Sequence, residues 1–136
     1  MLRMDETLVK AKGLIVEKIR RWDYVSFAEL MRLLDENGIE GTGTSTMYLN
    51  NNPNMLIVVN GSEVLVQALK DLLRDKQIFP IPASVLVYMV DGYVPDLPLV
   101  KRNYQYKKPH WLPVAFRDIS KATKRQLTII ASAASN

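Results

Sequence analysis

The sequence predicts a single α+β domain, and three observations predict it. Apolar residues recur at three- and four-residue steps in three segments, two of them opened by a serine. Short β-forming apolar runs, bounded by turn residues, lie between and after those segments. A chain of 136 residues with 48% hydrophobic and 24% charged residues buries a core without cross-links and has room for one domain.

The first segment, residues 5–22, places Leu8, Ala11, Ile15, Ile19 and Trp22 on one helical stripe, with Lys10, Glu17, Lys18 and Arg21 on other faces. Tyr24 and Val25 follow as a short extended piece. Ser26-Phe27-Ala28-Glu29 then reads as a capping box, the Ser26 hydroxyl accepting from the Glu29 amide and the Glu29 carboxylate reaching back to the Ser26 amide. The helix it opens carries Phe27, Leu30, Met31 and Leu34 on one face and ends at Asn37-Gly38, where a left-handed residue closes helices. Residues 40–54, rich in Gly, Thr, Ser and Asn, read as loop. Residues 55–59 read as a buried strand.

Ser62 caps a third helix with a wide stripe of Val64, Leu65, Ala68, Leu69, Leu72 and Leu73. Residues 77–82 and 84–91 read as two strands of a hairpin closed by Asp91-Gly92. Pro80 and Pro82 cannot donate to a ladder, which makes the first an edge strand. Six of the seven prolines fall between residues 80 and 113, so the chain there is extended and stiff. Residues 112–116 read as a last strand, and residues 120–135 as a short helix or frayed end.

The order helix, short strand, capped helix, third helix, hairpin resembles the winged-helix family. The segments that carry it are Tyr24-Val25-Ser26-Phe27-Ala28-Glu29-Leu30-Met31-Arg32-Leu33-Leu34 and Ala68-Leu69-Lys70-Asp71-Leu72-Leu73-Arg74-Asp75-Lys76-Gln77-Ile78. The likeness spans residues 5–91 as a pattern without a signature motif. It implies a winged-helix-like domain over residues 1–92, three helices plus a β hairpin, with residues 93–136 as a Pro-rich, basic C-terminal extension packed on the same domain. It departs in the long 40–60 connection. In many relatives the third helix reads the DNA major groove. Here its exposed positions would be Ser62, Glu63, Gln67, Lys70, Asp71 and Arg74, a neutral face that offers phosphates little, so base reading does not carry over.

Charge points elsewhere. Residues 1–100 hold 10 Lys/Arg against 13 Asp/Glu, a balance of −3; residues 101–136 hold 8 against 1, a balance of +7. A basic segment on a mildly acidic body suits an anionic partner, foremost nucleic acid. Lys101, Arg102, Lys107 and Lys108 are interleaved with Tyr104, Tyr106, His110 and Trp111, a mixture suited to phosphate contact and base stacking. Arg117, Lys121, Lys124 and Arg125 would extend the surface. The bland reading is a solvated loop whose aromatics fold back into the core.

Other chemistry finds little support. His110 is the one histidine, and no second group marks it as a general base. There is no cysteine and no ligand spacing for a metal. Gly41-Thr42-Gly43-Thr44-Ser45-Thr46 lacks the Gly-Lys-Ser/Thr ending of a phosphate loop, and no Gly-x-Ser-x-Gly elbow occurs. The expectation is therefore a non-catalytic protein without cofactor or metal, binding nucleic acid mainly through phosphate. The rival is a protein-interaction or dimerisation module, with a homodimer or another protein as partner. A charged N-terminus and apolar runs too short for a bilayer point to a cytoplasmic protein without membrane contact.

Overall fold

The structure is a computed structural model and describes residues 3–49 and 52–127. Helix α1 (Met4–Trp22) buries Ala11, Ile15 and Ile19. Trp22, read as part of that stripe, instead lies exposed beneath the Lys18 ammonium, 5.1 Å from its ring centroid. At Asp23 and Tyr24 the chain turns through two successive positive φ angles, 49° and 58°. This is unusual for non-glycine residues. The Asp23 carboxylate holds the turn by accepting from the Tyr24 amide at 2.9 Å. The turn feeds strand β1 (Val25–Ser26) and then helix α2 (Phe27–Glu36).

Ser26 caps α2 as expected, accepting from the Glu29 amide at 3.1 Å, but only half of the box forms. The Ser26 hydroxyl donates to Asp91 at 2.6 Å, and the Glu29 carboxyl faces Asp91 too. Gly41 follows the helix, and there only glycine fits: a Cβ would meet the Met31 carbonyl oxygen.

One expectation fails here. Residues 42–49, read as loop, form strand β2 (Thr42–Leu49), antiparallel to strand β3 (Asn52–Gly61) with several register shifts. Thr and Tyr are good strand residues, and β3 supplies the ladder that a polar run lacks alone. β3 is the expected buried strand at residues 55–59, longer at both ends. Helix α3 (Glu63–Arg74) is capped by Ser62, which accepts from the Leu65 amide at 3.1 Å.

Strand β4 (Ile78–Pro82) lies at a sheet edge, as its prolines require. Its partner is not the next segment. Residues 84–91, read as the returning hairpin strand, form helix α4 (Val85–Asp91). The Ser84 hydroxyl caps it, accepting from the Leu86 amide at 3.2 Å, and Gly92 closes it at φ 79°. Those end signals outweigh the β propensity of Val85, Val87 and Val90, and the one side of β4 that pairs meets strand β6 (Val114–Asp118) instead. The expected three helices plus a 77–91 hairpin are thus replaced by a fourth helix and a longer return.

Sheet order is β1-β6-β4, all antiparallel, and β2-β3-β5, where strand β5 (His110–Trp111) runs parallel to β3. The segment after residue 92 therefore supplies the central strand of one sheet and an edge of the other. The last strand, expected at residues 112–116, is β6, two residues further on. A 3-10 turn (Ile119–Lys121) follows it, and residues 128–135 of the expected terminal helix lie outside the described residues.

Leu30, Leu34, Leu65, Leu69, Ile78 and Phe116 fill the core between helices and sheet. An aromatic cluster joins the two sheets: Tyr88 of α4 meets Trp111 edge-on at 4.9 Å and Phe27 at 4.9 Å. The Tyr88 hydroxyl donates to the Val114 carbonyl at 2.5 Å and accepts from the Phe27 amide at 3.3 Å. Its burial pushes the phenol pKa up.

Candidate nucleic-acid interface

The basic-aromatic segment is a loop with a closed base. Val100 donates to the Trp111 carbonyl and Trp111 to the Pro98 carbonyl, each at 2.8 Å, so residues 101–109 leave and re-enter at one point beside β5. Two asparagines of β3 fasten the loop to the sheet. Asn52 Nδ2 donates to the Tyr104 carbonyl at 3.0 Å, and Asn54 Nδ2 to the Tyr106 carbonyl at 2.7 Å. Asparagine is disfavoured in strands, and these two earn their place as side-chain ties to backbone oxygens. Sequence reading missed them because the run at residues 50–54 looks like loop; an Asn beside an apolar strand was the available signal.

Inside the loop, the Tyr106 hydroxyl accepts from the Lys101 and Arg102 amides at 3.2 and 3.3 Å and donates to the Arg102 carbonyl at 3.0 Å. His110 stacks on the Tyr106 ring at 3.8 Å. Its Nδ1 donates to the Lys108 carbonyl at 2.8 Å, since a carbonyl can only accept. Tyr106 and His110 are thus half-buried parts of the scaffold. Tyr104 is 50% exposed, with Tyr106 at its edge (5.3 Å) and the Arg102 guanidinium over its ring (4.9 Å).

The cations divide into two groups. Lys101, Arg102, Lys107 and Lys108 are exposed, and none of them is in an ion pair among the described residues. Arg117 holds Asp23 with two bonds, at 3.0 and 2.8 Å, and both groups feel it: the Asp23 pKa falls and the Arg117 pKa rises. Lys121 lies near enough to lower Asp23 further. Lys124 and Arg125 are exposed in the helical turn that Thr123 caps. Arg117 lies within β6, and Lys121, Lys124 and Arg125 follow its end, whereas the loop is rooted beside β5 in the other sheet.

No family model, curated protein or solved structure matches the chain. The site therefore stands on its own geometry.

Trp111 is the expected site residue that the structure removes from the surface. It is fully buried in the aromatic cluster and presents no face to a base. The third helix is likewise less open than expected. Ser62 and Asp71 are buried, and Asp71 is bound by Lys12 of α1 at 3.0 Å and Gln67 at 2.8 Å, with Arg74 at 3.3 Å. The Lys12 bond, with Gln67 and Arg74, lowers the Asp71 pKa. No described helix is long and apolar enough to cross a membrane.

Proposed function

We propose that the protein is a non-catalytic nucleic-acid-binding protein of winged-helix-like build, holding phosphates with the loop at residues 101–108. The observation that carries this is four exposed cations without ion-pair partners on a loop that β3 fastens in place. A fastened loop loses less entropy on binding than a free one, and cations outside ion pairs give up no internal carboxylate to meet a phosphate. Half-exposed Tyr104 adds a surface for one base to stack on. The winged-helix likeness draws support from α1, α2 and α3 packed on a sheet in which the strand after α3, β4, pairs antiparallel with β6. In this reading β6 is the returning strand, and residues 83–113 are a much enlarged wing that carries the loop.

The test is fluorescence anisotropy with labelled random duplex and labelled single strand at two salt concentrations. Affinity should fall steeply with salt and depend little on sequence. Binding that is equal at low and moderate salt would sink the proposal.

One observation favours the rival reading of a dimerisation module. Helix α4 exposes Leu86, Met89 and Val90, the last at 86%, and buries only Tyr88. Under that reading a second copy covers this face. A monomer in sedimentation at high concentration, unchanged by Val90→Lys, removes it.

A further inference from the structure

Beneath the loop lies a pocket of about 500 Å³, within the range of small-ligand sites. Leu49, Met55 and Leu112 give it apolar lining, and Lys101 and Arg102 line it too. Asn52 also lines it, 7% exposed. The orientation of its amide is fixed, because the Tyr104 carbonyl demands a donor and Nδ2 supplies it; Nδ2 also meets the Met55 sulfur at 2.7 Å. Oδ1 is therefore an acceptor, and among the described residues it has no partner. A buried carbonyl without a donor raises the free energy of the closed state, and a ligand that supplies the donor relieves it.

We infer that this pocket takes one nucleotide whose base carries an exocyclic amine, with Asn52 Oδ1 accepting from the amine and Lys101 and Arg102 holding the phosphate. Flat apolar contact from Leu112 and the Met55 thioether suits the faces of a base. The acceptor-only presentation of Asn52 selects a donor edge. Adenine and cytosine offer an amine at the periphery of the ring, whereas the one ring donor of thymine sits between two carbonyl oxygens that would crowd Oδ1. Oδ1 is closed off in the free protein, so the donor reaches it as neighbouring loop side chains move aside, with the Tyr104 tie kept and the acceptor still turned to the base. The inference deepens the proposed function and rests on it where the nucleotide belongs to a strand; a free nucleotide has the same chemistry.

The native protein is titrated with three labelled single strands of one length: deoxyadenosine, thymidine, and purine deoxyriboside, which is deoxyadenosine without its amine. The adenine strand should bind about tenfold tighter than the other two, the scale of one satisfied buried acceptor. Asn52→Leu should level the three. Because that change also cuts the Tyr104 tie, the amine comparison on the native protein carries the decision. Equal affinity for all three strands overturns the pocket and leaves the phosphate-binding loop standing. If no strand binds, the proposed function fails. Adenosine monophosphate is then set against purine riboside monophosphate: amine-dependent binding keeps the pocket as a free-nucleotide site, and its absence overturns that as well.

Discussion

Two neighbouring stretches of the C-terminal segment, residues 101–108 and 110–118, share a vocabulary of cations and aromatics and put it to opposite uses. In the loop, Lys101, Arg102, Lys107 and Lys108 face solvent and Tyr104 is half exposed. A few residues on, Trp111 and Phe116 are fully buried and Arg117 is bound to Asp23. The difference is pairing. Residues 110–111 and 114–118 are strands with neighbours on the ladder, so their side chains alternate into the core or onto adjacent elements. Among the described residues, 101–108 are tied by backbone oxygens and by the Tyr106 side chain, its ring stacked with His110, which leaves their charged groups outward. A count of basic and aromatic residues cannot separate the two; ladder pairing does.

The largest expected effect breaks the comparison at its aromatics. Trp111→Ala should destabilise the fold by about 3–5 kcal/mol, read as a lower urea midpoint, while Tyr104→Ala should fall within about 0.5 kcal/mol of the parent. Comparable losses would mean that the two rings share one environment. Next come the cations. The triple change Arg102→Ala, Lys107→Ala, Lys108→Ala should lower the slope of log affinity against log salt on a single strand by about 2 and leave the urea midpoint in place.

Arg117→Ala should do the reverse, leaving that slope intact and lowering stability. The sign with pH follows from Asp23, whose folded pKa lies below its ordinary value because of Arg117. Its contribution is full above the ordinary carboxylate range, about 3.9, and is lost as pH falls through the lowered value. The gap between parent and variant should therefore close in acid, as urea midpoints from pH 7 downward would show. The smallest effect is at Glu29, where burial and then Asp91 raise the pKa. Its ionisation opposes folding, so Glu29→Gln should stabilise slightly at neutral pH, with the gain vanishing as pH drops below the ordinary carboxylate range.

Legibility followed how local the determining interaction is. Ser26 and Ser62 cap α2 and α3 through bonds to amides three residues away, and both helices could be read from the chain. The edge position of β4 was legible in Pro80 and Pro82. The strand at residues 42–49 was not, because its ladder comes from the separate strand β3 and its own residues are polar. Residues 85–91 misled for the opposite reason: three valines favour a strand, yet the Ser84 cap and Gly92 close them as a helix, and the strand that pairs with β4 is β6, more than twenty residues on. At the candidate site, the exposed cations and Tyr104 could be read from composition, whereas the Asn52 and Asn54 ties and the burial of Trp111 could not.

By itself, then, the sequence determined an α+β chain, its first three helices, two of them with their serine caps, the proline-marked edge and a strongly basic final quarter. Each of these depends on residues within a few positions of one another, or on a sum that folding leaves unchanged. Tertiary structure alone decided that β4 returns through β6 and that Arg117 is held by Asp23 while the loop cations stay outside ion pairs. Those outcomes depend on contacts between residues far apart in the chain, as between Asp23 and Arg117 or Asn52 and Tyr104, and no local pattern records them.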